Sequence, residues 1–316
     1  MSEHFNVESL AGTGGQVDCN LCGGAEREHL FTKFSYDIVK CKDCGLTFVG
    51  NPPDPEAMRR MYSAQADYHN ELLDPKSLSS RRMRKIARQH IRMLSKSVPE
   101  SQGLRLLDIG CSSGLFLDEA RKAGFIVEGA ELSPDTAEAA RRNFGLKVHT
   151  GTVDSATFAD DTFDVITLFD VIEHLSDPLG DLCKMSKLLK PGGIILQSTP
   201  NIDGLFPKLS YKLAHRLDYW PHPEPPHHLY QFSVRSMKSL LDRAGLECVR
   251  ADQTRIQLGY SFGSPEHWKV SPKLLAYAAL FAPAAIAGPW LGMGDWLYIA
   301  ARKPAASGHD ANPSYG

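Results

Sequence analysis

The sequence lacks an excess of charge of either sign. Its 35 basic residues meet 37 acidic ones, for a formal net charge of −2. The broad basic surplus that would mark the whole chain as a nucleic-acid binder is missing. Glycine (26) and proline (20) are too few for a collagen-like or low-complexity chain of 316 residues. Cysteine is sparse, seven in all, which excludes a small disulfide scaffold. The opening MSEHFNVESLAGTGG has neither a basic start nor an apolar core, so no secretory signal is expected and the chain is assigned to the cytoplasm. There is no internal repeat. What remains is an ordinary globular composition, 42% hydrophobic and 23% charged, long enough for one large domain and a small one.

The pattern changes along the chain. Residues 1–18 read as a flexible tail, 19–50 as a small Cys-bearing module, and 51–103 as a linker with a basic helical segment. From Leu104 apolar runs alternate with helical periods: Arg105–Ile109, Leu115–Lys122, Ile126–Glu131, Pro134–Phe144, Lys147–Gly151, Val165–Phe169, Pro178–Leu189, Ile194–Thr199, Val234–Ala244, Glu247–Ala251 and Trp296–Ala301. Strands alternating with helices predict a parallel α/β sheet over 104–303. Within it, 202–233 reads as an acceptor-site segment and 270–294 as an apolar helical insert. Residues 304–316 read as a disordered tail.

Four of the cysteines fall in two knuckles, Cys19-x-x-Cys22 and Cys41-x-x-Cys44, 18 residues apart. That is a Cys₄ zinc spacing, and each knuckle is followed by a glycine that lets backbone amides turn toward sulfur. Four thiolates fill a tetrahedral shell and leave no open position, so the expected Zn²⁺ is structural. Cys111, Cys183 and Cys248 read as packing residues.

Leu106–Gly114 (LLDIGCSSG) is a strand, an acid and a glycine-bounded turn into a helix. It lacks the G-x-G-x-x-G spacing that cradles a pyrophosphate. A nucleoside without phosphates fits better. Glu131 ends the next strand, 23 residues after Asp108, where a carboxylate accepts ribose hydroxyls.

Together LLDIGCSSG, VEGAELSP, FDVITLFDVIEHLSDP, LLKPGGIILQSTPN and HHLYQFSVRSMKSLLDRAGLECV resemble, in order, the motifs of class I S-adenosylmethionine-dependent methyltransferases. The family's first motif has a middle glycine where this chain has Ser112. The resemblance implies a doubly wound, mostly parallel seven-stranded Rossmann-like sheet, here with a small N-terminal zinc ribbon. It implies S-adenosylmethionine as cofactor. Asp108, Gly110, Cys111 and Gly114 would line its methionine and ribose, Glu131 and Leu132 its ribose. Thr152, Val153 and Asp154 would lie at the adenine, and Phe169 would meet the cofactor at the end of the fourth strand. Glu173, His174, His227 and His228 are the catalytic candidates, an imidazole being the usual base for a hydroxyl nucleophile. Tyr219, Trp220 and Tyr230 could wall an acceptor such as a sugar ring.

The preferred acceptor is a hydroxyl of a small molecule, sugar or lipid-linked glycan. The alternatives are metal-assisted O-methylation of a quinone precursor near Asp170, Glu173 and His174, sugar C-methylation, and RNA methylation, ranked below small molecules. Asp170-Val171-Ile172 replaces the N-P-P-Y and Pro-Cys motifs of DNA methyltransferases, so DNA is not expected. A non-enzyme reading, a zinc-ribbon interaction module with an inactive cofactor fold, is the contrasting class. Arg81–Lys96 carries seven basic residues, either a solvated helix face or a patch for anionic partners. Residues 274–294 carry one charge-free stretch, LLAYAALFAPAAIAGPWLGMG, expected to cover the active site or to touch a membrane peripherally.

Overall fold

The computed structural model describes residues 14–54, 56–58, 72–217, 220, 222–256, 258–262 and 271–305. Most of the two tail expectations, and Tyr219, lie outside these residues.

Strands β1 (Arg27–Lys33), β2 (Tyr36–Cys41) and β3 (Thr47–Val49) form an antiparallel meander. Helix α1 (Leu78–Leu94) starts at Ser77, whose hydroxyl accepts the Ser80 N–H at 3.0 Å. It buries Ala87, His90 and Leu94 at helical spacing. The alternating region follows: β4 (Arg105–Ile109), α2 (Leu115–Lys122), β5 (Ile126–Glu131), α3 (Pro134–Phe144), β6 (Lys147–Thr150) and β7 (Phe163–Phe169). A 3₁₀ turn (Ile172–His174), α4 (Pro178–Leu188), β8 (Leu189–Pro200) and α5 (Leu205–Leu217) come next. The chain ends through β9 (Tyr230–Gln231), α6 (Val234–Arg243), β10 (Glu247–Thr254), α7 (Leu258–Phe262), α8 (Pro272–Ala287), a 3₁₀ turn (Gly288–Leu291) and β11 (Trp296–Arg302).

The large sheet runs β10-β11-β8-β7-β4-β5-β6. It is parallel except at β11, which is antiparallel to both neighbours. The chain enters at the centre, winds out to β6, then crosses back to lay β7 on the other side of β4. That reversal makes a switch point between β4 and β7, and a crevice opens outside the carboxyl ends of those strands. Lys190–Gly193, between the expected helix Pro178–Leu189 and strand Ile194–Thr199, is a bulge inside β8: Phe163 pairs with Leu189, and Val165 with Ile194. Lys190 closes it by binding Asp164 at 2.8 Å.

Alternate residues of the sheet face two cores. Leu106, Val165, Leu196 and Ala300 pack with α1, α2 and α3. Leu107, Ile166, Ile195 and Ile299 pack with α4, α6 and the small sheet. The small sheet gains its fourth strand from far along the chain, β9 pairing Thr47 with Gln231 and Phe48 with Tyr230. Val39, Cys41 and Phe48 join the core of the large sheet, while Tyr36, Ile38 and Val49 pack with Ala214 and Trp220. The Cys module and the α/β sheet therefore share one continuous apolar interior.

Candidate functional site

The crevice wall on the β4 side is built from backbone. Gly110 (φ +73°) and Cys111 both donate to the Ala130 carbonyl, at 2.8 and 3.2 Å, which ties the turn to the end of β5. A Cβ on Gly110 would lie 2.5 Å from Val171 Cγ2, and one on Gly114 (φ +80°) 2.6 Å from Leu146 Cδ1. Both glycines are thus demanded by conformation and by close approach. Ser112, at the family's middle-glycine position, also sits in the left-handed region (φ +47°). The Cys111 thiol points inward against Gly129, and burial pushes it well up. It packs and presents only its backbone to the turn.

Two carboxylates close this wall. Glu131 accepts the Ser112 N–H on Oε2 and the Ser133 N–H on Oε1, each at 2.8 Å. A carboxylate has about four lone-pair sites, so two remain for further donors. Asp108 is fully buried and accepts the Thr167 hydroxyl at 2.6 Å. Burial pushes it up to about 8, the Thr167 hydrogen bond opposes this, and the Glu131 charge adds to it. Leu132 is exposed just beyond Glu131. Thr152 is exposed and Val153 packs against the core. Asp154 pairs with Lys184 on α4 at 2.7 Å. The Phe169 ring packs on the α1 side, stacked on His90 with centroids 3.9 Å apart.

The β7 side carries the titratable cluster. Asp170 (φ +59°) accepts the Ser198 hydroxyl at 2.5 Å, and burial pushes it up to about 6 against that bond and one from Trp296. Glu173 is buried, and neither carboxylate oxygen has a hydrogen-bond partner in normal geometry. Burial and the Asp170 charge raise it well above the usual range, only partly countered by its own backbone and Thr199. His174 Nδ1 donates to the His227 carbonyl at 2.8 Å, and Leu229 N–H binds the Glu173 carbonyl at 2.8 Å. These bonds clamp the 227–229 segment onto the β7 turn. The His174 and His228 rings meet edge to face, 4.8 Å between centroids. Burial lowers His174 to about 4, and burial with the neighbouring charges holds His228 well below its ordinary value, so both are neutral at pH 7. One donor atom each from Glu173, His174 and His228 lies within 4.8 Å of the others. A carboxylate with two neutral imidazoles suits a divalent first-row metal or a proton acceptor.

The structure thus gathers Glu173, His174 and His228, while His227 supplies its carbonyl. Sequence reasoning missed Thr167 and Ser198, whose hydroxyls orient Asp108 and Asp170 from neighbouring strands. It also missed the stacking of His90, whose only signal was its helical spacing. Of the three aromatics expected at an acceptor, Trp220 and Tyr230 are taken up in packing. Trp220 is buried edge-on to Phe31, with centroids 6.2 Å apart, and the Tyr230 hydroxyl donates to the Ser176 carbonyl. Both rings complete the small sheet's packing.

At the knuckles, Cys19 and Cys44 sulfurs lie 3.5 Å apart, as do those of Cys22 and Cys41. Sulfurs on a tetrahedron with ~2.3 Å bonds are separated by ~3.8 Å. Backbone amides of Leu21 and Cys22 aim at Cys19, and those of Asp43 and Cys44 at Cys41. The two knuckles also repeat one turn, Gly23 N–H to the Cys19 carbonyl and Gly45 N–H to the Cys41 carbonyl. The donor set and its amide cradle fit a tetrahedral Zn²⁺.

Comparison with known proteins places these features. A family model described as a methyltransferase domain matches residues 78–251. A ubiquinone biosynthesis O-methyltransferase of Cereibacter sphaeroides is 40% identical over 121 residues, 37% of this chain and 49% of that protein. One from Dinoroseobacter shibae is 35% identical over 173 residues, 52% of this chain and 68% of that protein. The chain therefore spans half to two-thirds of the length of these curated relatives. The crystal structure of the [4+2]-cyclase SpnF is similar in fold, with a TM-score of 0.53 and 17% identity, covering 80% of this chain and 97% of that one.

Proposed function

The chain belongs to the methyltransferase domain family, and from that premise we propose that it methylates a phenolic hydroxyl on a small aromatic acceptor of the quinone-precursor type. It is an S-adenosylmethionine-dependent class I methyltransferase; the acceptor class is our reading. The observation that carries it is the Glu173–His174–His228 cluster at the β4/β7 switch point. The names of the relatives point the same way. The sugar reading gains nothing from Trp220 and Tyr230, which are occupied in packing.

When bound, S-adenosylmethionine supplies a methyl group on a cationic sulfonium that needs alignment more than activation. Glu131 would hold the ribose hydroxyls while its amide bonds keep the carboxylate fixed. Asp108 is raised by burial, and a cationic ligand nearby would draw it back to the charged form. The acceptor hydroxyl must lose a proton. His174 and His228 are neutral and able to take it. Where Glu173, His174 and His228 instead hold a divalent cation, the two imidazoles no longer take the proton, and the cation would lower the pKa of that hydroxyl.

The test is a methyl-transfer assay with catechol-type and glycoside acceptors, read as the mass gain of one methyl. The wild type should methylate the catechol. His228→Ala should lower kcat by roughly 10²–10⁴-fold, the range for a lost acid–base group, while S-adenosylhomocysteine affinity stays unchanged. Methylation of glycosides alone, or full activity in His228→Ala, overturns the reading.

A further inference from the structure

Helix α8 and the 3₁₀ turn after it are apolar all the way round. No charged residue occurs from Leu274 to Gly294. The protein uses one face of this segment. Ala278, Phe281, Ala284 and Ala285 pack against Phe206, Ile256 and Phe262. The other face is open: Leu275, Leu280 and Ile286 are exposed, Leu291 is 65% exposed and Trp290 86%. Ala276, Ala279 and Pro283 fill the gaps between them. Of the most apolar window between Pro272 and Leu291, only 28% is buried. Single exposed apolar side chains are common on soluble proteins, but a continuous strip of this kind marks a docking face.

The segment does not cross a bilayer. Its inner face is held by α5 and α7, and Leu205 N–H binds the Met293 carbonyl at 2.9 Å. Immediately beyond, β11 is paired between β8 and β10. Its C-terminal end is therefore tied into the sheet, and its inner face into the helices beside it. Charge then selects the partner. Helix α5, packed against α8, has no acidic residue and exposes Lys212 and Arg216, while Lys208 at its start pairs with Asp203 at 3.2 Å; Lys273 is exposed at the start of α8. A second copy of the chain docking symmetrically would bring these cations against themselves. Anionic headgroups would meet them with opposite sign, while the acyl boundary received the apolar strip.

We propose that α8 and the Gly288–Leu291 turn seat the protein on the surface of an anionic lipid bilayer, in the plane of the interface, with Trp290 and Leu291 as its main apolar anchors. This goes beyond the methyl-transfer reading and does not depend on the acceptor.

The test is co-sedimentation of the full chain with vesicles of phosphatidylcholine alone, and of phosphatidylcholine with phosphatidylglycerol, at low and high salt. Binding should favour the phosphatidylglycerol vesicles and weaken as salt rises. The double variant Trp290→Ser/Leu291→Ser should lower the partition coefficient about tenfold or more, with S-adenosylhomocysteine affinity unchanged as the check on folding. Lys212→Glu/Arg216→Glu should remove the preference for anionic vesicles. No sedimentation with either vesicle overturns the proposal. So does unchanged binding of the Trp290/Leu291 variant, or a dimer in ultracentrifugation that the same variant dissolves, which would make a second copy the occupant.

Discussion

Ser112 holds a backbone conformation that suits glycine, and its hydroxyl is buried without a hydrogen-bond partner. Its useful group is the amide, which donates to Glu131. Ser112→Gly keeps that amide, removes the left-handed penalty and deletes the unpartnered hydroxyl. Glycine's greater freedom in the unfolded chain offsets part of the gain. The variant should be more stable by about 1 kcal/mol, read from urea midpoints, with S-adenosylhomocysteine affinity preserved. A loss of stability would mean that the hydroxyl has an unseen role. The wall around Ser112 was legible in sequence because positive φ and close approach demand glycine at 110 and 114, and because a carboxylate at a strand end has few other uses. The orienting hydroxyls were not legible. Thr167 reaches Asp108, and Ser198 reaches Asp170, from other strands, and no local pattern marks either. Nor was the pairing of Asp154 with Lys184, 30 residues on, legible in any local pattern.

At the scale of elements, the basic face of α1 finds its counter-charges on α2. Arg84 binds Asp118 and Glu119, each at 2.9 Å, and Arg88 binds Glu119 at 2.8 Å. Lys96 lies 4.0 Å from Asp252. The run read as either a solvated face or an anion patch is in part a clamp that fixes α1 over the first crossover helix. The amphipathic period was legible; the partners were not, because they lie 31 to 35 residues away in sequence for the α2 contacts. Burial pushes Glu119 up, but the bonds from Arg88, Arg84 and Lys122 win and hold it at about 2. Its folded-state pKa is thus below its ordinary value of 4.5. The stability it contributes is full above the ordinary pKa and is lost as pH falls through about 2. Glu119→Gln should therefore cost about 1–3 kcal/mol at pH 7, and the gap to wild type should narrow as pH drops toward 3. Urea unfolding of both proteins across that range checks the sign. A gap that widens in acid would put the clamp's energy elsewhere.

At the scale of the whole molecule, the Cys module and the Glu173–His174–His228 cluster are joined by one short path. Cys44 leads through Gly45 and Leu46 into β3, β3 pairs with β9, and Val49 N–H binds the Leu229 carbonyl at 2.8 Å. Leu229 N–H in turn binds Glu173, beside His228. The sequence presents these parts as successive modules. Nothing in it reveals the closure, since a two-residue strand carries no periodicity and its partner lies 184 positions earlier (Thr47 with Gln231). The path has a functional consequence. A Zn²⁺ on Cys19, Cys22, Cys41 and Cys44 would fix the edge against which the His227–Leu229 segment is laid. Among the described residues, the wall at β4 and β5 takes no hydrogen bond from that edge. Freshly purified protein should carry one zinc per chain by metal analysis, and Cys41→Ser should lose it. In that variant, methyl transfer should fall well before S-adenosylhomocysteine affinity does, because His174 and His228 lose their register while Asp108 and Glu131 keep theirs. Equal loss of both would mean that the knuckles support the whole fold. Zinc-free, fully active wild-type protein would remove the metal from the argument and leave the shared sheet alone to hold the site.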